Sequence, residues 1–373
     1  MSQSSVKEQI EDLKASGLPT GLTVSKGTRI VSSEPTEGDS LRRFGSDLWF
    51  SRWTHNAFDN YPLVRQCFGI RFLHEACHGI PAFVVGVGPS LDDSLADLKS
   101  ARGRSIIIST DAALRALLAS GITPDLVVSQ DCKDDQNRLW QGIPAVNIPI
   151  LFNSCTHPQS IASWPGPILF FNQYHTQDDL CKRILPDVLP ELGQIPSAGT
   201  VGNMAIFAAH TMGCEPICAV GMDFCFQPAK GDVVGWCYRA QDWRYQMERG
   251  AGVPPGWVKT QIKELYDNDE RMQRSFMVKG ENGKEYRMDP ELVFYLNSFK
   301  DLMPHFKVPI VNCSPEGMIP STLVRKEESG DVTVDVPKMT VGQAVEKYCK
   351  TVNQGGRTVL AHLAKIAPDP RKP

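Results

Sequence analysis

Seven short apolar runs, rich in β-branched residues, recur along the chain: "AFVVGV" (82–87), "SIIIST" (105–110), "DLVVSQ" (125–130), "IPILFN" (148–153), "PILFF" (167–171), "PICAVG" (216–221) and "VPIVN" (308–312). Each is a short apolar stretch with a polar residue, glycine or proline close by, the pattern of a strand buried on both faces. Between several of them lie segments of helical period, at Ser90–Ala101, Asp111–Ser120 and Gly199–Gly213. In the last of these, Val201, Met204, Ala205, Ala208 and Met212 fall on one stripe, Gly213 ends the helix and Pro216 blocks its continuation.

This alternation predicts an α/β fold, a Rossmann-like doubly wound and mostly parallel sheet covered by helices on both faces. The expected organisation is an N-terminal helical or irregular cap over 1–80, a nucleotide-binding core over 81–225, an inserted aromatic and polar segment over 226–300, a last core strand and loop over 301–335, and a short C-terminal helical tail over 336–373. Asn282-Gly283 in "ENGKEYRM" predicts a hairpin turn inside the insertion. The closing "APDPRKP" is expected to fray.

Composition changes this picture little. With 42% hydrophobic and 22% charged residues the 373-residue chain reads as an ordinary globular protein. Its 39 basic and 42 acidic residues give a net charge of -3, which argues against an extended nucleic-acid-binding field. The polar start "MSQSSVKEQIEDLKASG" lacks a signal-peptide core and no run of 18 apolar residues occurs, so a cytoplasmic protein with no membrane span is expected. Eleven scattered cysteines without a Cys-x-x-Cys pair fit buried thiols better than a disulfide framework. His74, Cys77 and His78 cluster within a turn, but the remaining ligands of a zinc site are lacking nearby, so they read as packing residues.

In open α/β sheets ligands lie beyond the carboxyl ends of the strands, so the candidate chemistry is sought there. After the first strand stand Gly86, Gly88, Pro89 and Ser90, two glycines that suit close backbone approach to a phosphate. The dinucleotide fingerprint is incomplete, because Leu91 stands where a third glycine belongs, and no Walker loop occurs. Ser197, Gly199, Thr200 and Asn203 gather at a second helix start, where free N–H groups favour an anion. Asp111, Asp131 and Asp223 follow other strands and suit ribose hydroxyls, a divalent ion or proton transfer; Asp111 alone also reads as a helix cap. Asn172, Gln173, Tyr174 and His175 form a polar cluster after the strand at 167–171, with His175 a candidate base. Trp236, Tyr238, Arg239, Trp243, Arg244 and Tyr245 suit stacking on a sugar or base.

Four blocks, "GVGPSLDDSL", "STDAALRALLASGITPDLVVSQD", "PSAGTVGNMAIFAAHTMGCEPICAVGMDF" and "VNCSPEGMIP", resemble in content and order the domain shared by motility accessory factor (Maf) flagellin glycosyltransferases and the MptE-like 6-hydroxymethylpterin diphosphokinases. The resemblance covers roughly 45–320 and implies a core akin to that of bacterial sialyltransferases, with Gly86–Ser90, Asp131, Ser197–Thr200 and Asp223 lining a donor pocket. On the Maf side it implies transfer of a nonulosonic acid from a CMP-activated donor to a hydroxyl acceptor. The acceptor stays open among protein, glycan or another molecule, since Maf proteins carry an extra C-terminal helical region where this chain has a short tail. In that reading Asp223, Asp131 and His175 are the catalytic candidates, and Asn172, Gln173, Tyr174, Trp243 and Arg244 hold sugar or acceptor. The pterin branch implies diphosphate transfer from ATP to a pterin alcohol, with Mg²⁺ on Asp131 and Asp223. A catalytically silent nucleotide-binding module is the third reading.

Overall fold

All seven apolar runs become parallel strands, because side chains on both faces of each meet apolar partners and only a sheet covered on two sides supplies them. The computed structural model describes residues 37–134, 136–143, 147–174, 180–226, 274–350 and 370–371, with side chains described from 51 onward. The elements are α1 (Glu37–Val64), β1 (Phe68–Gly69), β2 (Ala82–Val85), α2 (Leu91–Ala101), β3 (Ile106–Thr110), α3 (Leu114–Ala119), β4 (Leu126–Ser129), β5 (Ile150–Asn153), α4 (Pro158–Ser163), β6 (Ile168–Tyr174), α5 (Leu185–Val188), β7 (Gln194–Pro196), α6 (Val201–Thr211) and β8 (Ile217–Val220). After these come β9 (Phe276–Lys279), β10 (Glu285–Met288), α7 (Pro290–Leu302), β11 (Ile310–Asn312), β12 (Thr322–Glu327), β13 (Gly330–Asp335) and α8 (Val341–Tyr348).

Nine strands form one sheet in the order β1-β6-β5-β4-β3-β2-β8-β11, with β7 beside the end of β6, and every pairing in it is parallel. From β2 the chain winds through β3 to β6 on one side, while β8 and β11 pair on the other, so the winding reverses between β2 and β8. The crevice at such a reversal, beyond the carboxyl ends of the strands, is where this architecture places ligands.

The sheet separates two packed faces. Val84, Ile106, Ile108, Leu126 and Val128 pack with α6 and α7, while Phe83, Val85, Ile107 and Val220 pack with α2 and α8. On the second face, farther along, Phe152 and Phe170 meet Trp140 and Trp164. Helix α6 is buried on more than its predicted stripe: every residue from Gly202 to His210 is buried, so it is a central core helix.

Several boundaries differ from expectation. The segment 1–80 contributes β1 to the main sheet, and 226–300 contributes α7 to the core. The Asn282-Gly283 hairpin is present as antiparallel β9 and β10. A second hairpin, β12 with β13, occupies what reads in sequence as a loop. Near the C-terminus Arg371 is docked, not frayed: its guanidinium donates to the carbonyls of Ile161 (2.9 Å), Trp164 (2.7 Å) and Gly166 (2.7 Å). The ten cysteines among the described residues are all buried thiols, and Cys77 faces Cys214 while His78 pairs with Glu75 at the surface. No helix among the described residues is long and apolar enough to cross a membrane.

His210, near the end of α6, stacks on Phe306 at 4.5 Å, and burial lowers its pKa from 6.5 to about 4. Its folded value lies below its unfolded value, so its contribution to stability is complete above pH 6.5 and is lost as the pH falls toward 4. The lost part is on the order of 3 kcal/mol. Chemical denaturation of the wild type and of His210→Gln between pH 7 and 4 is expected to show a steeper decline for the wild type; parallel curves would remove His210 as the source.

Candidate functional site

Beyond the carboxyl ends of β2, β3, β4 and β8 lies an open cavity of about 120 Å³, set where this architecture places ligands. Gly86–Pro89 and Gly221–Cys225 form its floor, Thr110, Asp111, Ala112, Asp131 and Gln136 one side, and Thr200–Gly202 with Leu292 and Tyr295 the other. No lysine, arginine or histidine is among these residues, whereas three carboxylates are.

The floor is an interlock of two strand ends. The amide of Gly86 donates to Val220 O (2.8 Å) and that of Gly88 to Gly221 O (2.6 Å). A Cβ on Gly88 would lie 2.1 Å from Asp223 Oδ2, and Gly221 adopts φ +61°, so both positions require glycine. Buried Asp223 accepts from the Ser90 amide (3.2 Å) and hydroxyl (2.9 Å), both on Oδ2. Phe224 follows with φ +52°, a left-handed conformation that a bulky side chain adopts only under constraint. The constraint comes from the loop after β11, "VNCSPEGMIP": Met222 N donates to Ser314 Oγ (3.1 Å), Met318 N donates to Asp223 O (2.8 Å), and Gly317 backs directly on Asp223.

This geometry corrects the phosphate-cradle reading of Gly86–Ser90. The Ser90 amide serves Asp223, the Leu91 amide serves Gly88 O, and Pro89 has none, so the loop's donors are largely engaged within the protein. Helix α2 behind it carries Asp92 and Asp93 in its first turn, which already complement the dipole. The start of α6 differs: Thr200 makes no side-chain cap, no acidic residue occupies the first turn, and Thr200, Val201 and Gly202 face the cavity. The first amides of a helix lack intrahelical acceptors, so this end presents the donors suited to an anion.

Asp111, buried, accepts from Ser129 Oγ (2.7 Å) and Gln136 Nε2 (2.6 Å) on one oxygen and from Ala112 N (2.7 Å) on the other. It thus supports Gln136 and the turn after β3. Asp131 is half-buried at the cavity side. Burial, with Asp131 and Cys155 adding, pushes the neighbouring Cys132 thiol up to about 12, which removes it as a thiolate nucleophile.

Other expected ligands sit outside the cavity wall. Asn172, Gln173 and Tyr174 belong to β6 itself and are buried, since the strand runs three residues beyond its apolar segment. Asn172 holds Ser154 Oγ and the carbonyls of Leu185 and Leu189, and Gln173 joins Asn153 to Ser197 Oγ, so these side chains tie the sheet edge together and do not meet a sugar. Gly199, at φ +78°, shapes the turn into α6 against Phe294 and Ser298. Asn203 is fully buried and its amide donates to Ala198 O (2.9 Å) and Tyr295 O (3.2 Å), bracing α7 against α6 instead of touching a ligand. His175, Trp236, Tyr238, Arg239, Trp243, Arg244 and Tyr245 lie outside the described residues. The wall residues Gln136, Phe224, Leu292 and Tyr295 were missed in the sequence. The reading of 226–300 as an insertion passed over the signal for α7 in Asp289-Pro290, an N-cap whose carboxylate accepts from Leu292 N (2.7 Å) followed by proline at N1.

Fold and cavity together define a Rossmann-like α/β protein with a cavity at the reversal of strand order. Residues 55–229, from within α1 through the floor of the cavity, match the family described as 6-hydroxymethylpterin diphosphokinase MptE-like. A solved Maf glycosyltransferase from Magnetospirillum magneticum AMB-1 shares the fold with a TM-score of 0.53 at 16% sequence identity, over 84% of this chain and 43% of that one. The chain therefore spans under half the length of that relative. No curated protein matches it.

The interlock makes a direct demand on Gly88. Gly88→Ala places a methyl where the Asp223 carboxylate lies, so the β2 and β8 ends must part, with a loss of about 1–3 kcal/mol. Urea denaturation checks this, and an unchanged midpoint would show that the floor yields at no cost.

Proposed function

We propose that the chain is a glycosyltransferase-type enzyme whose donor is a sugar linked to a nucleoside monophosphate, with a CMP-nonulosonate-like donor favoured. The observation that carries this reading is the start of α6 on the cavity wall, a single helix end with no side-chain cap and no acidic residue in its first turn, which suits one phosphate. A triphosphate carries several more charges and needs cations to balance them.

A divalent ion does not fit the acidic residues well. Asp111 is bonded to three donors and Asp223 Oδ2 to two, and among the described residues no group of three or more His, Cys, Asp or Glu side chains is placed to hold a metal. Mg²⁺-ATP chemistry is thus the less favoured reading, although the MptE-like match keeps it the one to test against.

In the proposed reaction the α6 amides hold the donor phosphate and stabilise its charge as the bond to the sugar breaks. Leu292, Tyr295 and Phe224 supply an apolar wall for base or sugar. Asp131 receives the proton of the acceptor hydroxyl as its oxygen joins the sugar carbon. The acceptor is a hydroxyl of protein, glycan or another molecule, and Trp243 and Arg244 remain its proposed contacts.

Calorimetric titration of CMP, CDP, CTP and ATP, each with and without Mg²⁺, tests the charge argument. Affinity is expected to fall about tenfold, or about 1.4 kcal/mol, from CMP to CTP without metal and to depend little on Mg²⁺. Tighter binding of Mg²⁺-ATP than of CMP would instead support diphosphate transfer. Release of CMP from a CMP-nonulosonate in the presence of hydroxyl acceptors then reads the transfer itself.

A further inference from the structure

We infer that Asp223 is a positioning residue: its carboxylate is the glycine loop's resident anion, locking the loop from within and directing a ligand phosphate to the start of α6. In a dinucleotide fold the loop after the first strand takes the phosphate of the ligand. Here that loop takes a carboxylate of the protein.

Three observations meet on this assignment. Ser90 presents both its amide and its hydroxyl to Asp223 Oδ2, and charge-assisted bonds of this kind are stronger than neutral ones. Ser90 stands at the N-cap of α2 yet makes no capping bond of its own, because its side chain is turned to the carboxylate. Gly88 leaves no room between loop and carboxylate, since a Cβ there would lie 2.1 Å from Oδ2. With the Ser90 amide and hydroxyl committed to Oδ2 and the Leu91 amide to Gly88 O, the loop has few donors left for a ligand phosphate. The α6 start, whose first turn holds no acidic residue, is the alternative left on the cavity wall.

The two parts of this role separate by substitution. Asp223→Asn keeps an oxygen for both Ser90 donors but removes the charge, whereas Asp223→Ala removes both. Amide hydrogen exchange in peptides covering 86–91 reads the lock without any ligand. Exchange there is expected to rise about tenfold or more in Asp223→Ala and to stay within about threefold of wild type in Asp223→Asn. Adding Ser90→Ala to Asp223→Ala should change little, as for residues acting as one unit. Loop exposure in Asp223→Asn equal to that in Asp223→Ala, or unaltered protection in Asp223→Ala, would overturn the lock.

The diversion of phosphate is read by nucleotide titration and rests on the donor-binding reading above. In Asp223→Ala, which releases the Ser90 amide and hydroxyl for a ligand, the preference for CMP over CDP should narrow by about threefold or more, whereas Asp223→Asn should keep it. An unchanged CMP-to-CDP ratio in Asp223→Ala would overturn the diversion of phosphate. Failure of the wild type to bind CMP would count against the proposed function, and the exchange result would then decide the lock alone.

Discussion

The close approach of two strand ends, Gly86–Gly88 after β2 and Gly221–Asp223 after β8, is the constraint on which the rest of the site depends. These strands are neighbours in the sheet but carry the chain in opposite winding directions, so their outgoing loops diverge and leave a crevice. Two backbones meeting at this distance leave no volume for side chains at Gly88 and Gly221. The polar groups trapped there must be satisfied internally, and the Asp223–Ser90 pair does this.

The interlock also explains why distant sequence enters the site. The Gly221–Phe224 turn includes a left-handed phenylalanine, and such a conformation persists only where its surroundings over-determine it. The loop after β11 supplies that support through Ser314, Gly317 and Met318, and Phe224 also packs on Phe299 of α7. A floor held from several directions gives a ligand little cause to reorganise it, so binding energy can be directed to the substrate.

Much of the fold was legible because burial on both faces leaves a plain mark, a continuous apolar run such as Ile106-Ile107-Ile108. The parts that escaped carry no such mark. β1 has two residues and β7 three, and Asn172-Gln173 at the end of β6 are polar because their side chains satisfy a buried sheet edge. Of the site, Asp111, Asp131, Asp223, Thr200 and the glycines were found at strand and helix ends, as the architecture dictates. Their roles were less legible than their places. A glycine kept for contact with protein reads the same in sequence as one kept for contact with phosphate, and only the partner of the Ser90 amide tells the two apart. Tyr295 and Gln136 are brought to the cavity by tertiary packing alone.

Arg371 fixes one more property of the molecule. Its three bonds lie on the turn that leads into the amino end of β6, whereas the cavity opens beyond the carboxyl ends of the strands. In a parallel sheet these are opposite poles. A fluorophore, affinity handle or surface linker attached at Arg371 would therefore leave from the pole away from the cavity, keeping its mouth clear.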